Sequence, residues 1–224
     1  MATDVVTIYN QALSAAVGKG LVASTSENSR EAKLCNLWYP MVRDNVLKSA
    51  SWPCTKKYAR LAVLASRDPD VDWVAADPSP GYCYAYTAPS DMLAPRYLHS
   101  YARFEWELHS TTDTMAIMSN EELALLHYTA TQDDVTKWDN GLEMAVVYAL
   151  SANICRPLNG KRALAQDLLE LAQGFVTIAQ TDIANASDDY VDVVPDWLEV
   201  RGFSGPAQRT QYFFPYEGLN GVLA

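Results

Sequence analysis

Three histidines, four cysteines and a few spaced acids are the residues here whose types could do chemistry. Ser90 and Asp91 with His99 sketch the trio of a serine hydrolase, in which an imidazole takes the hydroxyl proton and a carboxylate orients the imidazole. No Gly-x-Ser-x-Gly elbow surrounds Ser90, so the sharp turn that exposes such a nucleophile is not written into the chain. Glu105 and Glu107 would share one face of a strand, as the carboxylate pair of a glycosidase could. Acids at that spacing are ordinarily a strand's solvated side. His109 and His127 also fall near strand positions, where a surface or satisfied core imidazole is the commoner role. Asp68, Asp70 and Asp72 open like a calcium loop, but no glycine follows at the sixth place and no glutamate at the twelfth. Cys35, Cys54, Cys83 and Cys155 form no Cys-x-x-Cys pair and have no neighbouring histidine, so they read as reduced thiols. Gly18-Lys19-Gly20 is too short for a phosphate loop, and no dinucleotide fingerprint is present. The expectation is no catalytic residue, no metal ligand and no cofactor.

The elements that would position these residues follow from apolar spacing. Val5, Ile8, Tyr9, Ala12, Leu13 and Ala16 predict an amphipathic helix over 3–16, closed by Gly18 and Gly20. Ser24 and Glu27 suggest a capping box before a second helix over 28–50, with Cys35, Tyr39, Val42 and Val46 buried and Pro40 as a kink or break. Between 52 and 136 the period shifts toward two. Strands are expected at 58–66, 82–87, 101–108, 114–118 and 123–130, in one small antiparallel sheet or meander. In 101–108, Ala102, Phe104, Trp106 and Leu108 would form the buried face. Thr136 and Asp139 offer a second capping box, before a helix closed by Pro157 and Asn159-Gly160. A last helix over 161–186 carries Leu164, Leu168, Leu171, Phe175, Ile178 and Ile183 at 3/4 spacing. The stretch after 187 opens acidic and ends Tyr212-Phe213-Phe214-Pro215-Tyr216, with no period. A segment this aromatic is expected to dock on a surface.

Composition bounds the function. The chain has 224 residues, a net charge of −10 and a hydrophobic fraction of 49%. That fraction excludes a disordered chain. No apolar run approaches the ~18 residues of a membrane span. The acidity argues against a protein that grips nucleic acid through its phosphates. The first residues, Met-Ala-Thr-Asp-Val-Val, show no basic region followed by an apolar run, so no secretory leader is expected.

Two segments together carry a family resemblance. The first runs Tyr9-Asn10-Gln11-Ala12-Leu13, Gly18, Glu27-Asn28-Ser29, Ala32, Cys35, Tyr39, Arg43-Asp44, Leu47 and Trp52. The second is Pro80-Gly81-Tyr82-Cys83-Tyr84-Ala85-Tyr86, then Pro89, Asp91 and Leu93. Phe104-Glu105, Tyr128-Thr129, Thr131, Asp133 and Gly141-Leu142-Glu143-Met144-Ala145 continue it, so that the likeness spans roughly 5–155. The chain resembles the tail tubular protein A family of short-tailed (podovirus) bacteriophages, the head-to-tail adaptor or gatekeeper of the tail. It departs from the family's pattern at Pro53-Cys54-Thr55-Lys56-Lys57, where an aromatic-basic stretch is often found.

The resemblance implies a structural virion protein and no enzyme. Its motif residues are Tyr39, Arg43, Asp44, Trp52, Gly81, Tyr82, Tyr84, Tyr86, Pro89 and Asp91. The family's members form a dodecameric ring below the portal protein and above the tail nozzle (tail tubular protein B), with tail fibres as further neighbours. Genomic double-stranded DNA passes through the lumen without specific binding. The implied location is the virion tail, after assembly in the host cytoplasm, with no membrane. With the residue pattern, the expected fold is α+β, mainly α. An antiparallel helical bundle, residues 1–55 and 136–187, would hold an inserted β-rich domain, 56–135, and an extended C-terminal docking arm, 188–224. Trp197, Arg201, Phe203, Tyr212, Phe213, Phe214 and Tyr216 are the expected portal or subunit contacts in that arm. The alternatives weighed against this are a small cell-wall glycan hydrolase resting on Glu105 and Glu107, and a generic protein-binding module.

Overall fold

The computed structural model describes residues 4–18, 21–68, 72–74 and 76–186. The chain divides into two compact units, 1–183 and 184–224, and nearly all of the second lies outside the described residues. Four helices and two small antiparallel sheets make an α+β protein. The helices are α1 (Val5–Val17), α2 (Arg30–Ser49), α3 (Asn140–Asn159) and α4 (Arg162–Ala186). The strands are β1 (Lys56–Arg60), β2 (Val63–Ser66), β3 (Tyr84–Thr87), β4 (Met92–Leu98), β5 (Phe104–Leu108), β6 (Met115–Ser119) and β7 (Leu125–Ala130).

Helices α1, α2 and α3 each start on a side-chain oxygen that satisfies a free backbone N–H. Asp4 accepts from the Thr7 amide at 2.8 Å, and Asp139 accepts from the Leu142 amide at 3.1 Å. Neither expected capping box forms. Ser29 is the N-cap of α2, three residues before Ala32 whose amide it holds, while the Glu27 carboxylate binds the Ala23 amide in the preceding turn. Thr136 lies in a 3-10 turn capped by Asp134, which leaves Asp139 free to cap α3 itself. Gly18 and Gly160 end α1 and α3 in the left-handed region, at φ 72° and 69°. Pro40 does not break α2 and Pro157 does not end α3.

The four helices share one core. α3 lies at its centre, buried on most sides. Small residues let α1 approach it: the Ser151 hydroxyl donates to the Ala12 carbonyl at 3.0 Å. Glu143 is buried on α3 and accepts from Gln11 of α1 at 3.1 Å. α4 buries Ala165, Leu168, Ala172 and Ala179, and stacks Phe175 on Tyr148 at 5.5 Å. Its 3/4 stripe is wider than its contact, so Leu171 and Ile178 remain on the outside.

The single expected sheet is two sheets, ordered β1-β7-β4 and β2-β3-β6-β5. The run 58–66 is divided between them. Leu61 turns inward, its amide bonding the Ala124 carbonyl, and the Ala62 carbonyl accepts from Thr87. β1 thus belongs to one sheet and β2 to the other. β4 carries Pro95, which an edge strand tolerates because one side of it needs no donor. Register shifts between Met92 and Ala94 and between Pro95 and Tyr97 erase its alternation. Tyr86, Ile117, Leu98, Leu126 and Tyr128 fill the space between the sheets. The expected buried face of 101–108 is covered at Ala102 and Phe104 but not beyond them, because β5 is an edge and extends past that core, so Trp106 and Leu108 are exposed.

Candidate functional site

The residues that carry the resemblance form a framework. On α2, the Tyr39 ring meets the Tyr9 ring edge-on at 5.4 Å, and the Arg43 guanidinium lies 5.9 Å from the Tyr39 centroid. Arg43 binds Asp44 at 2.8 Å and reaches Asp133 in the segment that leads to α3. Burial pushes the Tyr39 hydroxyl up to about 12, so it stays a neutral phenol. Trp52 is fully buried just beyond α2, and its indole N–H donates to the Val46 carbonyl at 2.9 Å.

The second motif builds a turn and a strand. Gly81 sits at φ 99°, where a side chain would be strained. Asn120 clamps the turn, donating to the Gly81 carbonyl at 3.3 Å and accepting from the Cys83 amide at 2.8 Å. Tyr82 packs on Ala85, Ala116 and Met118, on the opposite side of the sheet from Tyr84 and Tyr86. The three tyrosines therefore do not make one platform, because Tyr82 precedes the strand. The Tyr86 hydroxyl donates to the Glu121 carbonyl. The Pro89 carbonyl accepts from the Met92 amide at 3.1 Å, closing the turn into β4. Asp91 is a node: Lys57 of β1 donates to it at 2.7 Å and the Tyr128 hydroxyl of β7 at 3.0 Å. Those bonds hold its carboxyl below the usual range, the Lys57 bond most of all. Burial, reinforced by Asp91, pushes Tyr128 up to about 12.

The residues considered for catalysis are engaged separately. Asp91 is held by Lys57 and Tyr128, whereas His99 lies against His127. Glu105 pairs with Arg103 at 2.8 Å on the exposed edge strand. Among the described residues no group of three or more His, Cys, Asp or Glu could hold a metal ion, and no helix is long and apolar enough to cross a membrane. All four cysteines are free thiols. The proposed contacts Trp197, Arg201, Phe203, Tyr212, Phe213, Phe214 and Tyr216 lie outside the described residues.

The outer face of the β1-β7-β4 sheet carries a ladder of rings that spacing did not reveal. Tyr58 meets His127 edge-on at 4.3 Å, Tyr97 tilts against His127 at 4.2 Å, and Tyr101 stacks on Tyr97 at 5.3 Å. His99 approaches from beyond β4, its Nδ1 3.3 Å from His127 Nε2. Tyr58 and His127 were legible as alternate residues of strands. Tyr97 was not, because the bulges of β4 hide its period.

Burial and the neighbouring imidazole hold the His127 pKa below 6.5, so the folded state favours the neutral ring. As pH falls through 6.5 the unfolded chain takes up that proton first, and stability present above 6.5 is lost. Asp91 acts in a separate window, since its lowered pKa confines the loss to below 3.8. Melting temperatures measured from pH 7.5 to 4.5 are expected to decline for the wild type and to decline less for His127→Gln. Identical slopes would show that the ladder does not titrate with folding.

No family model matches the chain, and no curated protein sequence does.

Proposed function

We propose that the chain is a structural subunit of the head-to-tail adaptor ring of a short-tailed bacteriophage, joining the portal to the tail nozzle. The observation that carries the reading is the pairing of the two family motifs. Tyr39-Arg43-Asp44-Trp52 ties α2 to α1 and to the approach to α3; in the second motif β3 pairs with β6 of one sheet, and Asp91, just before β4, holds β1 and β7 of the other. Such residues set shape, which is what an assembly subunit must reproduce in every copy. In this reading the four helices act as one antiparallel bundle and residues 188–224 as a docking arm. A net charge of −10 per subunit, repeated around a ring, repels the phosphates of passing duplex DNA and lets it slide. The virion tail is the corresponding location.

The test is to mix the purified chain with its portal and image the product by electron microscopy. A ring seated on the portal is expected, and a chain lacking residues 197–224 is expected to seat more weakly while its helices stay folded. Absence of any ring, with or without portal, would sink the proposal.

A further inference from the structure

Two exposed surfaces of the first unit complement one another. On the outer face of the β1-β7-β4 sheet, Tyr58 is 62% exposed and Tyr101 is 74% exposed. Strand alternation puts Lys56 and Arg60 on the same face as Tyr58, flanking the ladder. Both cations are exposed and form no ion pair among the described residues, unlike Lys57, which turns to Asp91. The second surface is the outward side of α4. Leu171 is 49% exposed and Ile178 is 60% exposed, and they line a shallow groove of about 510 Å³ with Phe175. Gly174 forms its floor, with open space where a side chain would stand. Asp167 and Glu170 stand at its rim.

We infer that these two surfaces are the halves of one head-to-tail contact between copies of this chain, with Tyr58 and Tyr101 entering the α4 groove of the next copy. The inference rests on the ring-forming reading above. Projecting aromatic rings with a cationic border match an apolar groove with an anionic border, in both charge and relief. The halves lie on different elements, so the contact joins unlike patches. Contacts of that kind propagate, and they close into a ring when the rotation between copies permits. Nucleic acid is the weaker candidate for the sheet face. Two unpaired cations on a chain of net charge −10 neutralise too few phosphates to hold a strand.

Sedimentation equilibrium of the full chain tests the contact without a portal. Wild type is expected to self-associate. Lys56→Glu with Arg60→Glu, and separately Asp167→Lys with Glu170→Lys, are each expected to weaken association by about tenfold or more. An equimolar mixture of the two variants should associate again, since each supplies the half that the other lacks, and that recovery also shows both to be folded. Tyr101→Ala and Ile178→Ser are expected to weaken association without changing its salt dependence. The contact is overturned if wild type stays monomeric, if the reversals have no effect, or if the mixture fails to recover. It is also overturned if the sheet face binds an oligothymidylate while self-association ignores Lys56 and Arg60. A chain that forms a ring on its portal yet ignores both reversals loses this contact and keeps the adaptor reading. Variants that obey the charge rule while no portal ever carries a ring keep the contact and lose that reading.

Discussion

Replacing Trp52 with alanine is expected to destabilise the chain by about 3 to 5 kcal/mol, the usual cost of emptying a large aromatic site in a core. For a chain of this length that corresponds to a fall in Tm of roughly 6 to 20 °C. Trp52 is fully buried among the helices, and it stands where the chain leaves α2 for the first strand. Its loss opens a cavity and also removes the indole donor from the Val46 carbonyl. Ser49 still donates to that carbonyl at 2.7 Å, so the cavity dominates the cost. Trp52→Phe separates the two effects, because it keeps most of the volume and loses only the N–H. Thermal melts followed by near-ultraviolet circular dichroism would measure both. A loss under 1 kcal/mol for Trp52→Ala would show that this site repacks freely.

The second large effect is expected at Arg96, which no motif marks. Its guanidinium donates to the Lys48 carbonyl at 3.0 Å, to the Ala50 carbonyl at 2.7 Å and to the Thr129 hydroxyl at 2.7 Å. Lys48 and Ala50 stand at the C-terminal end of α2, where carbonyls lack intrahelical partners and the helix dipole favours a cation. α2 has no glycine cap, and Ala50 is extended there at φ −139°. Three other parts of the chain close this helix instead: Trp52, Arg96 of β4, and Gln180 of α4, whose amide donates to the Ser49 carbonyl at 2.7 Å. Arg96→Ala strips three charge-assisted bonds at once, two of them part-buried, to the Ala50 carbonyl and the Thr129 hydroxyl, at about 2 to 4 kcal/mol. Arg96→Lys is expected to recover part of this, because one ammonium cannot span the three acceptors as the planar fork does. Equal stability of the alanine and wild-type chains in urea would show that water replaces the guanidinium without cost.

The comparison of α1 with β4 shows where sequence reasoning succeeds. α1 is amphipathic, capped by Asp4 and stopped by Gly18, so each local signal agrees with the burial observed. β4 carries a proline and two register shifts, and it is held by β7 on one side only. Its strand identity comes from that pairing and leaves no local trace. The 58–66 run shows a related ambiguity. Its apolar residues are genuine strand residues, but nothing local says that Leu61 turns inward and divides them between two sheets. α4 is the converse case. The 3/4 period is correct, yet period alone cannot say how much of the stripe a neighbour covers, and Leu171 and Ile178 stay outside.

The candidate site divides the same way. The motif positions were legible as residues, whereas what they hold was not. Asp91 joins β1 to β7 through Lys57 and Tyr128, two residues distant from it in the chain.

By itself the amino-acid order determined the four helices, most strands, the α+β class, the absence of a hydrolase elbow around Ser90 and the acidic charge. All of these depend on neighbours within a few residues or on composition. Only the tertiary structure decided that there are two sheets, that rings from three stretches of chain form a ladder around His127, and that α2 is capped by side chains from elsewhere. Those features depend on contacts between residues far apart in the chain, whose energies exist only once the core has brought them together. Arg96 is the plainest instance: an ordinary basic residue in the sequence, and the cation that closes a helix in the fold.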